Sequence, residues 1–193
     1  MLGSLLLMLP AALLGQTDRA PADLTWGGEY KEPTNAYLSE YIATGPQGFY
    51  VLREKRTTAF SEGSEVYVEL YDLSMKLQRS KDISLKYKNK TRVLENAMFF
   101  GGQLYLFTSF NNKAHKKNYL FYQTLDNERL TPGRKMEMIA EADSDNKGAG
   151  AKAFGFHISR DSSKLLVYNQ LPYKKKEPER FALRVFDKNM ELE

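Results

Sequence analysis

One arrangement of apolar runs, turn residues and a closing aspartate occurs three times in this 193-residue chain, and that recurrence restricts the fold more than any other feature. Each copy reads as a half-apolar strand, a tight Gly/Ser/Asp turn, a strongly apolar strand, a basic polar loop, a third strand ending at Asp, and an alternating fourth strand. In the first copy residues 36–44 lead through 45–48 into Phe49-Tyr50-Val51-Leu52, then a loop at 53–65 and a strand at 66–71 closed by Asp72. The second runs 94–100, turns at 101–103, continues Leu104-Tyr105-Leu106-Phe107, loops through 108–118 and resumes at 119–122 before Asp126. In the third, 154–159 turns at 161–163 into Leu165-Leu166-Val167-Tyr168, loops through 169–180 and forms a strand at 181–186 before Asp187. Phe49, Leu104 and Leu165 are separated by 55 and 61 residues, and the three aspartates by 54 and 61. Two independent anchors therefore give nearly the same offsets.

Four antiparallel strands per unit of roughly 40–60 residues is the anatomy of a β-propeller blade. The expected fold class is all-β, with about three four-stranded antiparallel blades at residues 36–87, 94–142 and 153–193. The last is incomplete, because the sequence stops before its fourth strand; the second copy has 135–142 in that place and the first has 81–87. Twelve Tyr and eleven Phe fit this reading, since aromatic rings pack well on pleated, half-buried surfaces. A blade buries its faces against its neighbours, so the core is expected between copies and not within them. Closed propellers typically have about four to eight blades, so the remaining blades are expected from a longer chain. A stack of β-meanders or a partial barrel is the architectural alternative. The three aspartates are expected to form turns, accepting hydrogen bonds from backbone amides two residues on.

The segment Ser159-Arg160-Asp161-Ser162-Ser163-Lys164-Leu165-Leu166-Val167 resembles the Ser-Pro-Asp-Gly-Lys-Lys-Leu-type repeat of the TolB-like (WD-repeat-like) β-propellers. Arg160 stands where the family has Pro, and Ser162 where it has Gly. About nine residues carry the resemblance directly, and the rest of the chain joins it only through its period. The resemblance implies an exported bacterial scaffold that binds proteins or ligands, and it transfers no catalytic residue.

Cysteine is absent, which excludes disulfides, thiolate nucleophiles, Cys-based zinc sites and iron–sulfur clusters together. Residues 1–15 are apolar and uncharged. Leu5 to Leu14 has the length of a signal-peptide core, and the small residues Ala11, Ala12 and Gly15 precede a polar stretch, although a basic start is missing. Cleavage near Gly15–Gln16 and export to the periplasm, surface or medium are expected, with residues 16–35 as a lead-in. No other apolar run approaches the length of a membrane span.

In a blade meander, the loops joining strands two and three emerge at the same end as the connections between blades. Those loops contain Arg53, Lys55 and Arg56; Lys113, Lys116 and Lys117; and Lys174, Lys175, Lys176 and Arg180, with Lys86, Lys88, Lys90 and Arg92 in a connection. Converging charges of this kind concentrate an anionic partner, and Phe60, Phe110 and Tyr173 stand ready to stack on flat ligand faces. The competing reading is that basic loops keep a β-protein soluble and block edge pairing. Nucleic acid is not expected as a partner, since no reading element accompanies the charge. Catalysis is poorly supplied: no Gly-x-Ser-x-Gly elbow is present, and there are two histidines, of which His157 is expected as a pore-lining or hydrogen-bonded core residue and His115 as a solvated one. Glu141, Asp143 and Asp145 alternate as in a calcium loop but lack its glycine and its twelfth-position glutamate. No metal, cofactor or catalytic residue is therefore expected. The leading expectation is a non-enzymatic exported propeller segment that binds or scaffolds, through its basic loop face, an anionic macromolecule such as a protein or glycan. Its rivals are the propeller portion of a larger exported peptidase-like hydrolase and a carbohydrate-binding module.

Overall fold

The computed structural model describes Asp23 and residues 36–55, 65–87, 90–144, 152–173 and 176–193. The expected leader and nearly all of the lead-in lie outside the described residues. Those residues form strands and turns, with no helix among them. The first sheet contains β1 (Ala36–Gly45), β2 (Gly48–Lys55), β3 (Glu65–Tyr71) and β4 (Leu77–Ser84). A two-stranded hairpin follows, β5 (Lys86–Tyr87) and β6 (Lys90–Thr91). The second sheet holds β7 (Val93–Phe100), β8 (Gln103–Asn112), β9 (Lys117–Leu125) and β10 (Glu137–Asp143), and the third β11 (Gly155–Ile158), β12 (Leu165–Gln170) and β13 (Phe181–Phe186). In every sheet the strands are antiparallel and lie in chain order.

The three copies share one register. Phe49, Leu104 and Leu165 pair with Tyr71, Leu125 and Phe186, each the residue just before the closing aspartate. Each aspartate then closes a turn of the same kind, one residue longer in the second sheet than in the first and third. Asp72 Oδ1 accepts from the amides of Ser74 and Lys76, Asp126 Oδ1 from Glu128 and Arg129, and Asp187 Oδ1 from Asn189 and Glu191. The chain reverses through a left-handed residue in each case, Met75 (φ 64), Leu130 (φ 58) and Met190 (φ 63). The aspartates thus do what short polar side chains do at turns, replacing solvent for amides that have no strand partner. Beyond the turn Leu77 pairs with Tyr71, Pro132 bridges Leu125 and Leu192 bridges Phe186. Leu192 therefore occupies the place at which the fourth strand starts in the first sheet and at which Pro132 bridges ahead of β10 in the second.

Several expected boundaries move. The second basic loop, read as 108–118, is mostly strand, because pairing continues through Asn111↔Asn118 and Asn112↔Lys117 and leaves a turn at 113–116. The first fourth strand is Leu77–Ser84 and not 81–87; Leu85 is buried after it and the chain then folds back as the β5–β6 hairpin.

Period two divides each sheet between two interfaces. Tyr50 and Leu52 of β2 with Val66, Val68 and Leu70 of β3 form one face of the first sheet and pack on Leu104, Leu106 and Leu125 of the second. The intervening residues of β8, Tyr105 and Phe107, belong to the opposite face and pack with Leu120 on Leu165, Val167 and Phe186 of the third sheet. Two hydrophobic cores result, each lying between consecutive sheets. Aromatic contacts cross both, Tyr50 stacking on Phe99 at 6.0 Å and Phe107 meeting Phe156 at 4.9 Å between ring centroids.

At their edges both interfaces meet the aspartate turn of the following sheet. Tyr50 Oη donates to Asn127 O, in the aspartate turn of the next sheet. Burial and the nearby Glu128 and Asp126 carboxylates push its pKa up, as burial and Asp187 do for the equivalent Tyr105. Gly101, at φ 58, sits so close to the third sheet's aspartate turn that a Cβ would lie 2.5 Å from Lys188 O. On the third sheet, the face equivalent to Tyr50, Leu52, Val66 and Val68 carries Leu166, Tyr168, Phe181 and Leu183, with Phe181 51% and Leu183 65% exposed. His157 is exposed on this face, which rules out the core alternative of its expected placement.

Candidate functional site

Among the described residues of the expected basic set, Arg53, Lys55 and Lys117 are strand residues with carboxylate partners, and Lys113, Lys116, Lys176 and Arg180 are exposed. Arg53 is not in a loop: it lies in β2, 4% exposed, with Nε 2.7 Å from Glu69 Oε2, and Tyr71 Oη donates to the same carboxylate. A guanidinium on a sheet face must be paired to be buried, and the alternation of β2 and β3 places Glu69 on the same face to do it. Lys55 belongs to the end of β2 and pairs with Glu65 and Asp82. Lys117 opens β9 with its Nζ 2.8 Å from both Glu141 and Asp143, which explains two of the alternating carboxylates as its partners. Lys113 and Lys116 are exposed on the β8–β9 turn, Lys176 is exposed at φ 80, and Arg180 donates to Pro172 O. Arg56, Lys174, Lys175, Phe60 and Asp145 lie outside the described residues. Tyr173 is half-exposed beside Asn118, Asp143 and Ser144, at a polar recess of about 190 Å³.

A more enclosed feature occurs where the β5–β6 hairpin meets the second sheet. A cavity of about 280 Å³ is lined by Tyr87 and Lys90 of the hairpin, Arg92 just before β7, Phe110 of β8, Phe121 of β9 and Met136 just before β10. Arg92 is 6% exposed. Its Nε donates to Leu85 O at 3.1 Å and its Nη1 to Thr108 Oγ1 at 2.8 Å, with Met136 Sδ at 3.0 Å, while Nη2 has Ser84 O at 3.5 Å. Every one of these acceptors is uncharged. No carboxylate among the described residues pairs with this guanidinium, and burial lowers its pKa. Lys90 Nζ lies 4.4 Å from the centroid of the Phe110 ring, at the same cavity.

The placement follows from local sequence. Lys86-Tyr87 pairs back on Lys90-Thr91, so the connection between sheets becomes a short flap. Arg92 N then bonds to Leu85 O, which returns the chain to the buried end of the flap and turns the Arg92 side chain inward. In the sequence alone, Arg92 and Lys90 read as part of a basic connection between sheets. Phe110 and Met136 were the available signal that this connection has an apolar floor.

Glu95 is the other buried ionizable group of note. It falls at a β-bulge between Leu94 and Asn96, where an extra residue turns its side chain away from the ladder. Its carboxylate accepts from Ala153 N at 3.0 Å and Phe154 N at 3.2 Å, and so ties the second sheet to the entry of the third. Burial raises its pKa despite these donors and the Ser109 hydroxyl. Among the described residues no group of three or more His, Asp or Glu side chains is placed to hold a metal ion, and no helix is long and apolar enough to cross a membrane. No family model, no characterised protein and no solved structure matches the chain.

Proposed function

We propose that this chain is a segment of an exported β-propeller-type array, related to the TolB-like repeats, that acts as a binding or scaffolding module and not as an enzyme. The observation supporting this reading is the reuse of one inter-sheet interface. Equivalent positions of β2 and β8 pack on equivalent positions of the following sheet, and the third sheet presents the same face uncovered. The approach of β1 to β7 and of β7 to β11 agrees with first strands gathered toward a common axis. A further sheet of the same kind is the natural cover for Phe181, Leu183 and Tyr168.

The partner is an anionic macromolecule that meets the end of the sheets where Lys113, Lys116 and Lys176 are exposed. Heparin-resin chromatography tests this. The chain is expected to elute later than a triple Lys113→Glu, Lys116→Glu, Lys176→Glu variant, with retention falling as salt rises. Failure of the wild-type chain to be retained, or identical elution of the two, refutes the anionic partner. Export is tested by N-terminal sequencing of the secreted protein, which is expected to begin near Gln16.

A further inference from the structure

We propose that the cavity beneath the β5–β6 hairpin is a binding site for a small aromatic carboxylate, with Arg92 as the carboxylate receptor and Phe110 and Phe121 as its apolar walls. The inference rests on the cavity itself and does not depend on how many sheets the array contains.

A cation removed from water is normally paired with an anion, because burying it uncompensated is costly. Arg53 in the same chain obeys that rule through Glu69 at 2.7 Å. Arg92 is buried as deeply, yet its acceptors are two backbone carbonyls, a hydroxyl and a thioether. A thioether is a weak acceptor. Nη2 has only the distant Ser84 O at 3.5 Å. Hydrogen-bonding capacity on the guanidinium is therefore left for a ligand, and the cavity it lines is the place from which a ligand would reach it.

The lining then sets the chemical class. If the weak thioether contact on Nη1 is given up, Nη1 and Nη2 together match the flat, two-oxygen geometry of a carboxylate. Lys90 adds a second positive charge at the cavity. Phe110, Phe121 and Met136 offer an apolar interior with ring faces for stacking. The volume of about 280 Å³ lies near the lower end for ligand cavities, which run to roughly 300–1,000 Å³. That favours a single-ring molecule over a polymer, and separates this site from the surface proposed for a macromolecule.

The test is calorimetric titration of the full chain with benzoate as the probe, alongside benzyl alcohol and phenyl phosphate. Saturable binding of benzoate with one site per chain is expected, with no measurable binding of benzyl alcohol and weaker binding of phenyl phosphate. Arg92→Gln is expected to weaken benzoate binding by about 10- to 100-fold, as loss of a charged hydrogen-bond donor should. Lys90 is exposed and Phe110 only partly buried, so Lys90→Ala and Phe110→Ala are expected to remain folded by circular dichroism while binding several-fold more weakly. Should Arg92→Gln fail to fold, those two variants decide. Absence of saturable benzoate binding, equal binding of benzyl alcohol, or affinity unchanged in the variants overturns the site, and tighter phenyl phosphate overturns the carboxylate assignment. Heparin retention is expected to be unaffected by Phe110→Ala, so failure here is distinguishable from failure of the macromolecular partner.

Discussion

Gly101 and Gly102 are adjacent in one turn, and they separate backbone strain from inter-sheet contact. Both have positive φ, 58 and 85 respectively, so alanine at either position enters a left-handed conformation that costs an L-residue about 1–2 kcal/mol. Only Gly101 faces the third sheet. A Cβ there would lie 2.5 Å from Lys188 O and 3.3 Å from Lys188 C, whereas one on Gly102 meets nothing within 4 Å. Backbone cannot move aside as a flexible side chain does, and overpacking of this kind costs about 1–3 kcal/mol more. Gly101→Ala is therefore expected to destabilise by about 2–5 kcal/mol and Gly102→Ala by about 1–2 kcal/mol. Urea unfolding is the assay. With an m-value of about 2 kcal/mol/M, the two midpoints should differ by roughly 0.5–1.5 M at unchanged slope. Equal midpoints would mean that the turn of the second sheet does not abut the aspartate turn of the third, and the repeated interface would lose one of its two edges.

Ser162→Gly is expected to raise stability by about 0.5–1 kcal/mol in the same assay, because Ser162 holds φ 55 where the resembled repeat has Gly; a fall in midpoint counts against the turn geometry. Glu69→Ala removes the carboxylate that Arg53 and Tyr71 share and should cost about 3–5 kcal/mol, as breaking a buried pair does; a loss below about 1 kcal/mol would place Arg53 in solvent. For Glu95 the folded pKa is raised above its unfolded value of about 4.3. The stability held by the protonated form is full below that value and is lost as pH rises through the higher folded value. Urea midpoints of the wild type should accordingly fall across that window, by at most about 1.4 kcal/mol per pH unit from this group. Glu95→Gln should lack this component, and identical pH profiles would remove Glu95 from the account.

How much of this was legible depended on whether neighbours in sequence or neighbours in space set the outcome. The strands and the aspartate turns were readable because their causes are local: alternation of apolar residues, glycines after Thr44 and Phe100, and a carboxylate within reach of amides two residues on. Register followed from those turns, which is why Phe49, Leu104 and Leu165 occupy equivalent places. The site was much less legible. Arg53, Lys55 and Lys117 read as loop charges because their partners Glu69, Asp82 and Glu141 are supplied by other strands, and strand length at a polar end is decided by pairing that composition does not reveal. Arg92 was missed as a buried group for the same reason. Its burial comes from a hairpin folded on Phe110, Phe121 and Met136, residues 18 to 44 positions further along the chain.

The claim on which the rest depends is that apolar faces are buried between sheets. A nuclear Overhauser experiment on chain with labelled Phe and Tyr measures it directly. Ring-to-ring cross-peaks joining Phe107 to Phe156 and Tyr50 to Phe99 are expected, from centroid separations of 4.9 and 6.0 Å across the two interfaces. Cross-peaks confined to pairs within one sheet, such as Phe49 with Tyr71 or Tyr105 with Tyr122, would contradict it.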